Sequence, residues 1–172
     1  MTTTFHPRIY VACLAAYNNG HLHGSWIDAT QDTSAIRDQI NAMLSASPIP
    51  NAEELAIHDY EDFGGALINE YDSVQTVSEI ALFLHEHGSL GALVLEHVSS
   101  DLSDAQDMLA RYAGTCRSSA EFAEGVISET CEVPDRLQYY IDYEAIARDM
   151  ELNGDVISIE ERFEEVHVFW GH

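Results

Sequence analysis

Residues 8–29 read RIYVACLAAYNNGHLHGSWIDA, and this stretch decides how the first part of the chain is expected to fold. Apolar and β-branched residues fill positions 9–17 and 22–28, which predicts two strands. The dipeptide Asn19-Gly20 lies between them and favours a tight turn, because both residues tolerate positive φ. We therefore expect an antiparallel hairpin here.

Short strands and amphipathic helices alternate along the rest of the chain. Apolar residues at 36, 40, 43 and 44 have helical spacing, and Thr33 or Ser34 is a suitable cap for a helix that ends near Ser45. Ser73 is a suitable cap for another. We expect further strands over 54–60, 155–159 and 163–170, and further helices over 73–87, 90–97, 101–112, 119–130 and 135–152.

This pattern is typical of the α+β class, with short antiparallel sheets and acidic helices at the surface. Glycines at 64–65 and at 114 mark changes in the pattern and predict boundaries between small domains. We expect an N-terminal α+β domain over 1–61, a helical middle domain over 62–113 and a C-terminal α+β domain over 114–172.

The charge of the chain is its most unusual property. It has no lysine and only seven arginines, against thirty Asp and Glu, for a net charge of −23. Such a charge makes the compact state repel itself, while 46% hydrophobic residues exclude a disordered acidic tail. The protein is not expected to bind nucleic acid by counterion release or to bind anionic membranes. Its expected partners are basic surfaces, cations, or proteins that bind polyanions.

The acids are unevenly distributed. Residues 1–52 contain three acids and two arginines, whereas residues 53–172 contain twenty-seven acids and five arginines. Asp101, Asp104 and Asp107 recur every three residues, which places neighbouring carboxylates about 5–6 Å apart on a helix. At about 1.7 Å of duplex per charge, 23 charges correspond to roughly 39 Å of DNA. Charge alone also fits an acidic or salt-adapted protein with ordinary partners.

Three stretches resemble the ArdA antirestriction family: residues 8–29 as quoted above, AIHDYEDFG at 56–64 and RLQYYIDYEAIARDMELNGD at 136–155. The resemblance implies a cytosolic protein, typical of mobile genetic elements, that blocks Type I restriction–modification enzymes as a competitive mimic of bent B-form DNA. It implies an elongated homodimer with three small α/β domains in a row in each protomer. It implies neither a catalytic residue nor a cofactor.

The resemblance also implies where the active surface lies. Exposed carboxylates would enter the DNA-binding cleft of the target's specificity and methyltransferase subunits, and no single one is expected to be decisive. The acids expected on this surface are Asp59, Glu61, Asp62, Glu70, Asp72, Glu79, Glu86, Glu96, Asp101, Asp104, Asp107, Glu121, Glu124, Glu129, Glu132 and Asp135.

The family's antirestriction motif falls around residues 126–142. Within it, Val126, Tyr139, Tyr140 and Ile141 are candidates for the dimer interface or for the motif's function, and packing in the protein core is the alternative. A structural role is favoured over direct contact with the target. Dimerisation is assigned to the C-terminal domain.

Residues 149–160 offer a competing interpretation as an EF-hand calcium loop, with Asp149, Asn153, Gly154 and Glu160 at the first, fifth, sixth and twelfth positions. Glu151 at the third position and the strand expected after Glu160 disfavour it. Asn-Gly after a helix is equally an ordinary C-terminal cap.

Other functional classes have weaker support. The pairs His21/His23 and His85/His87 lack the HExxH spacing of a zinc protease, and no catalytic constellation is evident, so an enzyme is not expected. The chain has three widely spaced cysteines and no CxxC, which favours reduced thiols in a cytosolic protein. A general acidic partner of basic DNA-binding proteins remains an alternative that only the family resemblance disfavours.

Overall fold

The computed structural model describes residues 4–172, so the first three residues of the expected N-terminal domain lie outside it. This part of the chain forms two compact units, one ending at Ala105 and one beginning at Gln106. Each unit contains one antiparallel three-stranded sheet, in agreement with the predicted α+β class. The division into three domains remains a prediction.

The elements are β1 (Arg8–Cys13), α1 (Leu14–Asn18), β2 (Gly24–Asp28), α2 (Thr33–Ser45), β3 (Leu55–Glu61), α3 (Val74–His97), α4 (Leu102–Ala110), β4 (Tyr112–Cys116), α5 (Ser119–Thr130), α6 (Asp135–Gln138), α7 (Tyr143–Leu152), β5 (Val156–Arg162) and β6 (Glu165–Trp170).

The first unit is organised around β1, which lies between β2 and β3 and pairs antiparallel with both. Ile9, Val11 and Ile27 project from one face of this sheet and are buried. Helix α2 contacts β1 and β2, and it buries three of the four apolar residues predicted for its stripe, at 36, 40 and 43, while Leu44 is partly covered. Its cap is Asp32, whose side chain accepts the N–H of Ser34, and not the predicted Thr33 or Ser34. Alternation along the strands and helical spacing in α2 thus produce one shared core.

Helix α3 supplies much of the remaining core of the first unit. It begins after Ser73, whose hydroxyl caps the backbone N–H of Thr76 at 3.0 Å as predicted. Gly88 interrupts the helix with φ of +58°, a conformation that glycine adopts without strain. The two predicted helices, 73–87 and 90–97, are therefore the two arms of one kinked element. No helix among the described residues is long and apolar enough to span a membrane.

The second unit is built on β6, the central strand of the order β4-β6-β5. Val168 and Phe169 on this strand are fully buried. Helices α5 and α7 pack side by side, and each buries a small residue, Ala123 and Ala147. The predicted terminal hairpin is confirmed, because β5 and β6 pair antiparallel.

The expected tight hairpin at Asn19-Gly20 is wrong in its connection, although its two strands do pair. Strand β1 ends at Cys13, whose sulfur accepts a hydrogen bond from the N–H of Ala16 and starts helix α1. Asn19 has φ of −99° and Gly20 has φ of +79°, so only the glycine uses positive φ. The apolar run at 14–17 is helical and not part of the strand, because the Cys13 side chain offers the backbone a local hydrogen bond in place of strand pairing.

The expected continuous helix over 135–152 is also wrong. Helix α6 ends at Gln138, and α7 starts only at Tyr143. Between them, the carboxylate of Asp142 accepts a hydrogen bond from the N–H of Ala145 at 2.9 Å and opens a new helix. The apolar spacing continues through Asp142, but its side chain caps a new helix there. The segment therefore forms two helices and not one.

Strand β4 was not predicted, and the helix expected over 101–112 ends at Ala110. Gly114 in β4 has φ of +139°, and the register with β6 shifts beside it. The strand depends on its pairing with residues fifty or more positions later, a long-range contact that local periodicity does not encode.

The proposed calcium loop is not formed. Residues up to Leu152 belong to α7, Gly154 has φ of +76° just beyond the helix, and the N–H of Asp155 bonds to the carbonyl of Met150. These are the features of a helix C-terminus. Glu160 lies inside β5, so no second helix follows as an EF-hand requires.

Replacing Asp142 by Ala should destabilise the protein by about 1 kcal/mol, because α7 loses its cap. Asp142→Asn removes the same charge but keeps a capping oxygen, so it is the matched control and should cost only a few tenths of a kcal/mol. Urea denaturation followed by circular dichroism measures both. Equal stability of the two variants would show that Asp142 does not act as a cap.

Candidate functional site

All carboxylates of the protein lie at its surface. The thirty Asp and Glu residues all belong to the described part of the chain, and none of them is buried. Asp72, Glu121, Glu161 and Glu165 are partly covered, and the others are exposed. The buried polar or charged residues of the described chain are Ser78 and His167. The charge therefore adds nothing to the core, and most of it is exposed to a partner.

The sixteen acids predicted for a DNA-like surface follow this rule. Fourteen are exposed, and Asp72 and Glu121 are partly covered. They lie on β3 and the turn after it, on the loop before α3, along α3 and α4, and on α5 and the segment that follows it. Their joint role as one surface stays a prediction.

Arginine compensates only a few of these charges. In the described residues, Arg8 pairs with Glu61 at 3.1 Å, Arg117 pairs with Glu121 at 2.9 Å, and Arg162 pairs with Glu165. The guanidinium of Arg111 instead donates to the backbone carbonyls of Trp170 and Gly171, at 3.0 and 2.6 Å. Twenty-seven of the thirty carboxylates thus have no arginine partner within this part of the chain.

Several of the predicted acids also serve the fold, which the sequence did not reveal. Asp101 accepts a hydrogen bond from the N–H of Asp104 at 2.9 Å. Asp72 accepts from the N–H of Asn69 at 2.8 Å, and Asp62 accepts from the N–H of His6. Eight others form no side-chain hydrogen bond or ion pair within residues 4–172: Glu86, Glu96, Asp104, Asp107, Glu124, Glu129, Glu132 and Asp135.

The start of α5 combines a cap with an ion pair. Ser118 caps the N–H of Glu121 at 3.1 Å, and Glu121 in turn accepts from the backbone N–H of Arg117 at 2.7 Å. This exchange is a variant of the capping box. Hydrogen bonds from the Arg117 guanidinium and backbone lower the pKa of Glu121 below its ordinary value.

The two tyrosines of the expected antirestriction motif point into solvent in the single chain. Tyr139 is 93% exposed and Tyr140 is 84% exposed, while Val126 and Ile141 are partly covered. Packing of these tyrosines in the core of their unit is therefore wrong. Tyr139 also lines an open cavity of about 450 Å³ together with Glu124 and Cys131. Whether this patch forms the dimer interface or meets the target stays a prediction.

The outward face of the first sheet carries a second feature that sequence reasoning missed. Tyr10 and Trp26 are cross-strand partners whose ring centroids lie 5.6 Å apart. The guanidinium of Arg8 lies 5.3 Å from the centre of the Trp26 ring. The sequence did contain a signal for this face, because successive residues of a strand point to opposite sides of a sheet. Residues 8, 10, 26 and 28 therefore lie on the face opposite the buried Ile9 and Ile27.

Two of the four histidines in the pairs His21/His23 and His85/His87 form side-chain hydrogen bonds. His23 bonds through Nε2 to the carbonyl of Met43 at 2.7 Å, and His85 bonds through Nδ1 to the carbonyl of Phe5 at 2.9 Å. A register shift after Glu160 brings Glu161 beside Glu165 and His167, with potential ligand atoms within 4.8 Å. These groups already have partners, since His167 bonds to Glu161 and Tyr112, and Glu165 bonds to Arg162.

A family model described as Antirestriction protein (ArdA) matches residues 9–165 of the chain. The match includes the first sheet except Arg8, strands β4 and β5 of the second sheet, and all sixteen acids of the predicted surface, and it ends at the first residue of β6. A comparison with curated proteins gives no match.

Replacing Glu121 by Gln should destabilise the protein at pH 7, because the ionised carboxylate makes the bonds to Arg117. The folded-state pKa of Glu121 is lowered, so its contribution is complete above the unfolded pKa. That contribution is lost as pH falls below about 4.5 and through the folded pKa. Urea denaturation at pH 7 and pH 3 should therefore show a deficit that fades in acid.

Glu129→Gln is the control, because Glu129 is an exposed acid of the same helix without such bonds. It should not be destabilised at pH 7. A Glu121→Gln deficit that persists unchanged in acid would contradict the assignment.

Proposed function

The chain belongs to the ArdA family of antirestriction proteins, and from this premise we propose that it inhibits Type I restriction–modification enzymes by occupying their DNA-binding cleft in place of DNA. The observation that carries the proposal is the surface position of every carboxylate, with few arginines to compensate them. DNA-binding clefts present Arg and Lys to phosphates. Those same groups would meet carboxylates of this protein in the target's specificity and methyltransferase subunits.

The spacing of the helix acids supports a resemblance to a phosphate backbone. Three residues of helix advance about 4.5 Å along the axis, so Asp104 and Asp107 of α4 lie about that far apart along it, and Asp101 precedes them at the start of the helix. One strand of B-DNA carries a phosphate about every 3.4 Å of axis. The helix therefore offers charge at a similar linear density, without any base edges to be read.

Electrostatics also supports inhibition that is independent of the recognition sequence of the enzyme. A strongly negative molecule is steered toward a positive cleft, with rates that fall as salt rises. Because phosphate contacts carry no sequence information, a molecule that imitates only those contacts can enter clefts with different base specificities. No catalytic group and no cofactor takes part in this mechanism.

The exposed patch at Tyr139 and Tyr140 supports a homodimer as the active form. Exposed aromatic side chains of this size are enriched at protein interfaces. Two copies would together carry forty-six net negative charges, which correspond to roughly 78 Å of duplex at about 1.7 Å per charge. A dimer would thus match a DNA segment twice as long as one chain can.

The central experiment is a competition assay with a labelled DNA duplex bound to the methyltransferase core of a Type I enzyme. The protein should displace DNA at near-stoichiometric concentration, and displacement should weaken as NaCl rises from 50 to about 200 mM, as for other phosphate-type contacts. A large excess that leaves the DNA bound would refute the mechanism for that target. Displacement of DNA from unrelated basic proteins with equal potency would favour a general acidic decoy.

Location of charge should matter in addition to its total. Asp104→Asn, Asp107→Asn and Glu124→Gln combined remove three charges from free helix acids. This triple variant should raise the concentration needed for displacement by about tenfold, while each single change should have an effect of about threefold or less, since exposed ionic contacts contribute modestly.

The matched control removes three exposed charges outside the predicted surface, by Asp38→Asn, Glu53→Gln and Glu54→Gln. It should change displacement by only about threefold or less, through net charge alone. Equal losses in the two triple variants would show that total charge, and not its placement, determines inhibition.

A further inference from the structure

We propose that the outward face of the β2-β1-β3 sheet is a second contact surface, which receives an arginine side chain of the target against Tyr10, Trp26 and Asp59. The proposal rests on the proposed function, because the DNA-binding cleft of the target supplies the arginine. It gives a role to the first part of the chain, whose nearly neutral charge does not fit a uniform imitation of DNA.

The register of the sheet defines this face. Arg8 lies opposite Asp28 on one side and Glu61 on the other, while Tyr10 lies opposite Trp26 and Asp59. Directly paired residues project from the same side of a sheet. Five of these six side chains are exposed, and Tyr10 is partly covered. The sheet therefore presents an aromatic centre between rows of charged groups.

Gly24 fixes the position of the aromatic centre. A Cβ atom at this residue would lie 2.8 Å from the Tyr10 ring, so the absence of a side chain lets the ring lie across β2. The ring then packs against Trp26, which keeps 37% of its surface exposed. Two rings held in this way form a rigid platform that loses little side-chain freedom when a ligand binds.

Arg8 shows how the face binds a guanidinium. It lies 5.3 Å from the centre of the Trp26 ring and 3.1 Å from a carboxylate oxygen of Glu61. The aromatic face attracts the cation, and the carboxylate accepts its N–H groups. A planar guanidinium meets both demands at once, whereas an ammonium does not stack.

One step along the strands, the register again places aromatic residues and a carboxylate on this face, without a cation from this chain. Tyr10 has an aromatic partner on one side and the exposed carboxylate of Asp59 on the other. Within residues 4–172, no Arg or His forms an ion pair with Asp59. The face carries three carboxylates and one guanidinium, so it has a net negative charge that attracts a further arginine.

The direct test is a titration followed by NMR, using the two tryptophan indole N–H signals of the protein. A tetra-arginine peptide amide should shift the signal of Trp26 and leave that of Trp170, while tetra-lysine amide should shift Trp26 by less than half as much. Trp26→Phe assigns the signals. Asp59→Asn should reduce the arginine-induced shift, and Asp38→Asn, an exposed acid elsewhere, should not. Equal shifts with both peptides, or no shift at Trp26, would overturn the proposal.

The second test measures displacement of DNA from the methyltransferase core. Trp26→Leu leaves the net charge unchanged and should weaken displacement about fivefold, as expected for the loss of one stacked cation. Trp26→Phe keeps a ring and should lie between Trp26→Leu and the parent. If Trp26→Leu does not fold, Trp26→Phe decides, because Asp59 also belongs to the predicted acidic surface and its loss would weaken displacement through charge alone.

The two proposals can fail separately. If the parent protein displaces DNA and the Trp26 and Asp59 variants match it, the sheet face is not used although the mimic mechanism stands. If the parent does not displace DNA, the proposed function fails, and the peptide titration still decides whether the face binds arginine.

Discussion

Repulsion among thirty carboxylates, with no lysine to relieve it, is the constraint to which the rest of the structure conforms. Every acid occupies a surface position, so water and salt can screen the charge. Stability must therefore come from apolar packing in two small units, each a three-stranded antiparallel sheet with helices. Three of the seven arginines form ion pairs with acids. Arg111 instead donates hydrogen bonds to two backbone carbonyls at the end of β6.

Local hydrogen bonding gives some of the acids a second task. Asp32, Asp101 and Asp142 accept backbone N–H groups at helix starts, where the helix dipole favours negative charge. At these positions the field of the helix dipole stabilises the carboxylate and offsets part of the repulsion from the other acids. The free acids, such as Asp107 and Glu124, have no such compensation in the described chain. A positive partner would gain most from these residues, since it would relieve repulsion that the isolated protein retains.

The sequence predicted the features that depend on local patterns. Helix α5 has the predicted bounds, and α2 buries most of its predicted stripe, because a helical period lies within one short segment. Strand β4 was missed because it forms only by pairing with β6, which is distant in the sequence. The helix start at Asp142 was missed because the apolar spacing continues through this residue, while its side chain caps a new helix. The exposure of the acids followed from residue type alone. The platform of Tyr10 and Trp26 did not, because it requires the register of two strands and the missing side chain of Gly24.

A protein can imitate DNA without being uniformly charged, and the contrast between its two surfaces has a physical reason. Distributed carboxylates give long-range attraction that tolerates many orientations, because Coulomb forces between exposed groups fall off slowly within a Debye length. An aromatic platform acts only at contact and only with a planar cation. The first kind of surface can bring a positive cleft close, while the second can fix the orientation of the bound molecule. On the proposed mechanism, the aromatic residues of the nearly neutral first fifty-two residues, together with Asp59, would add contact specificity to the long-range attraction of the acids.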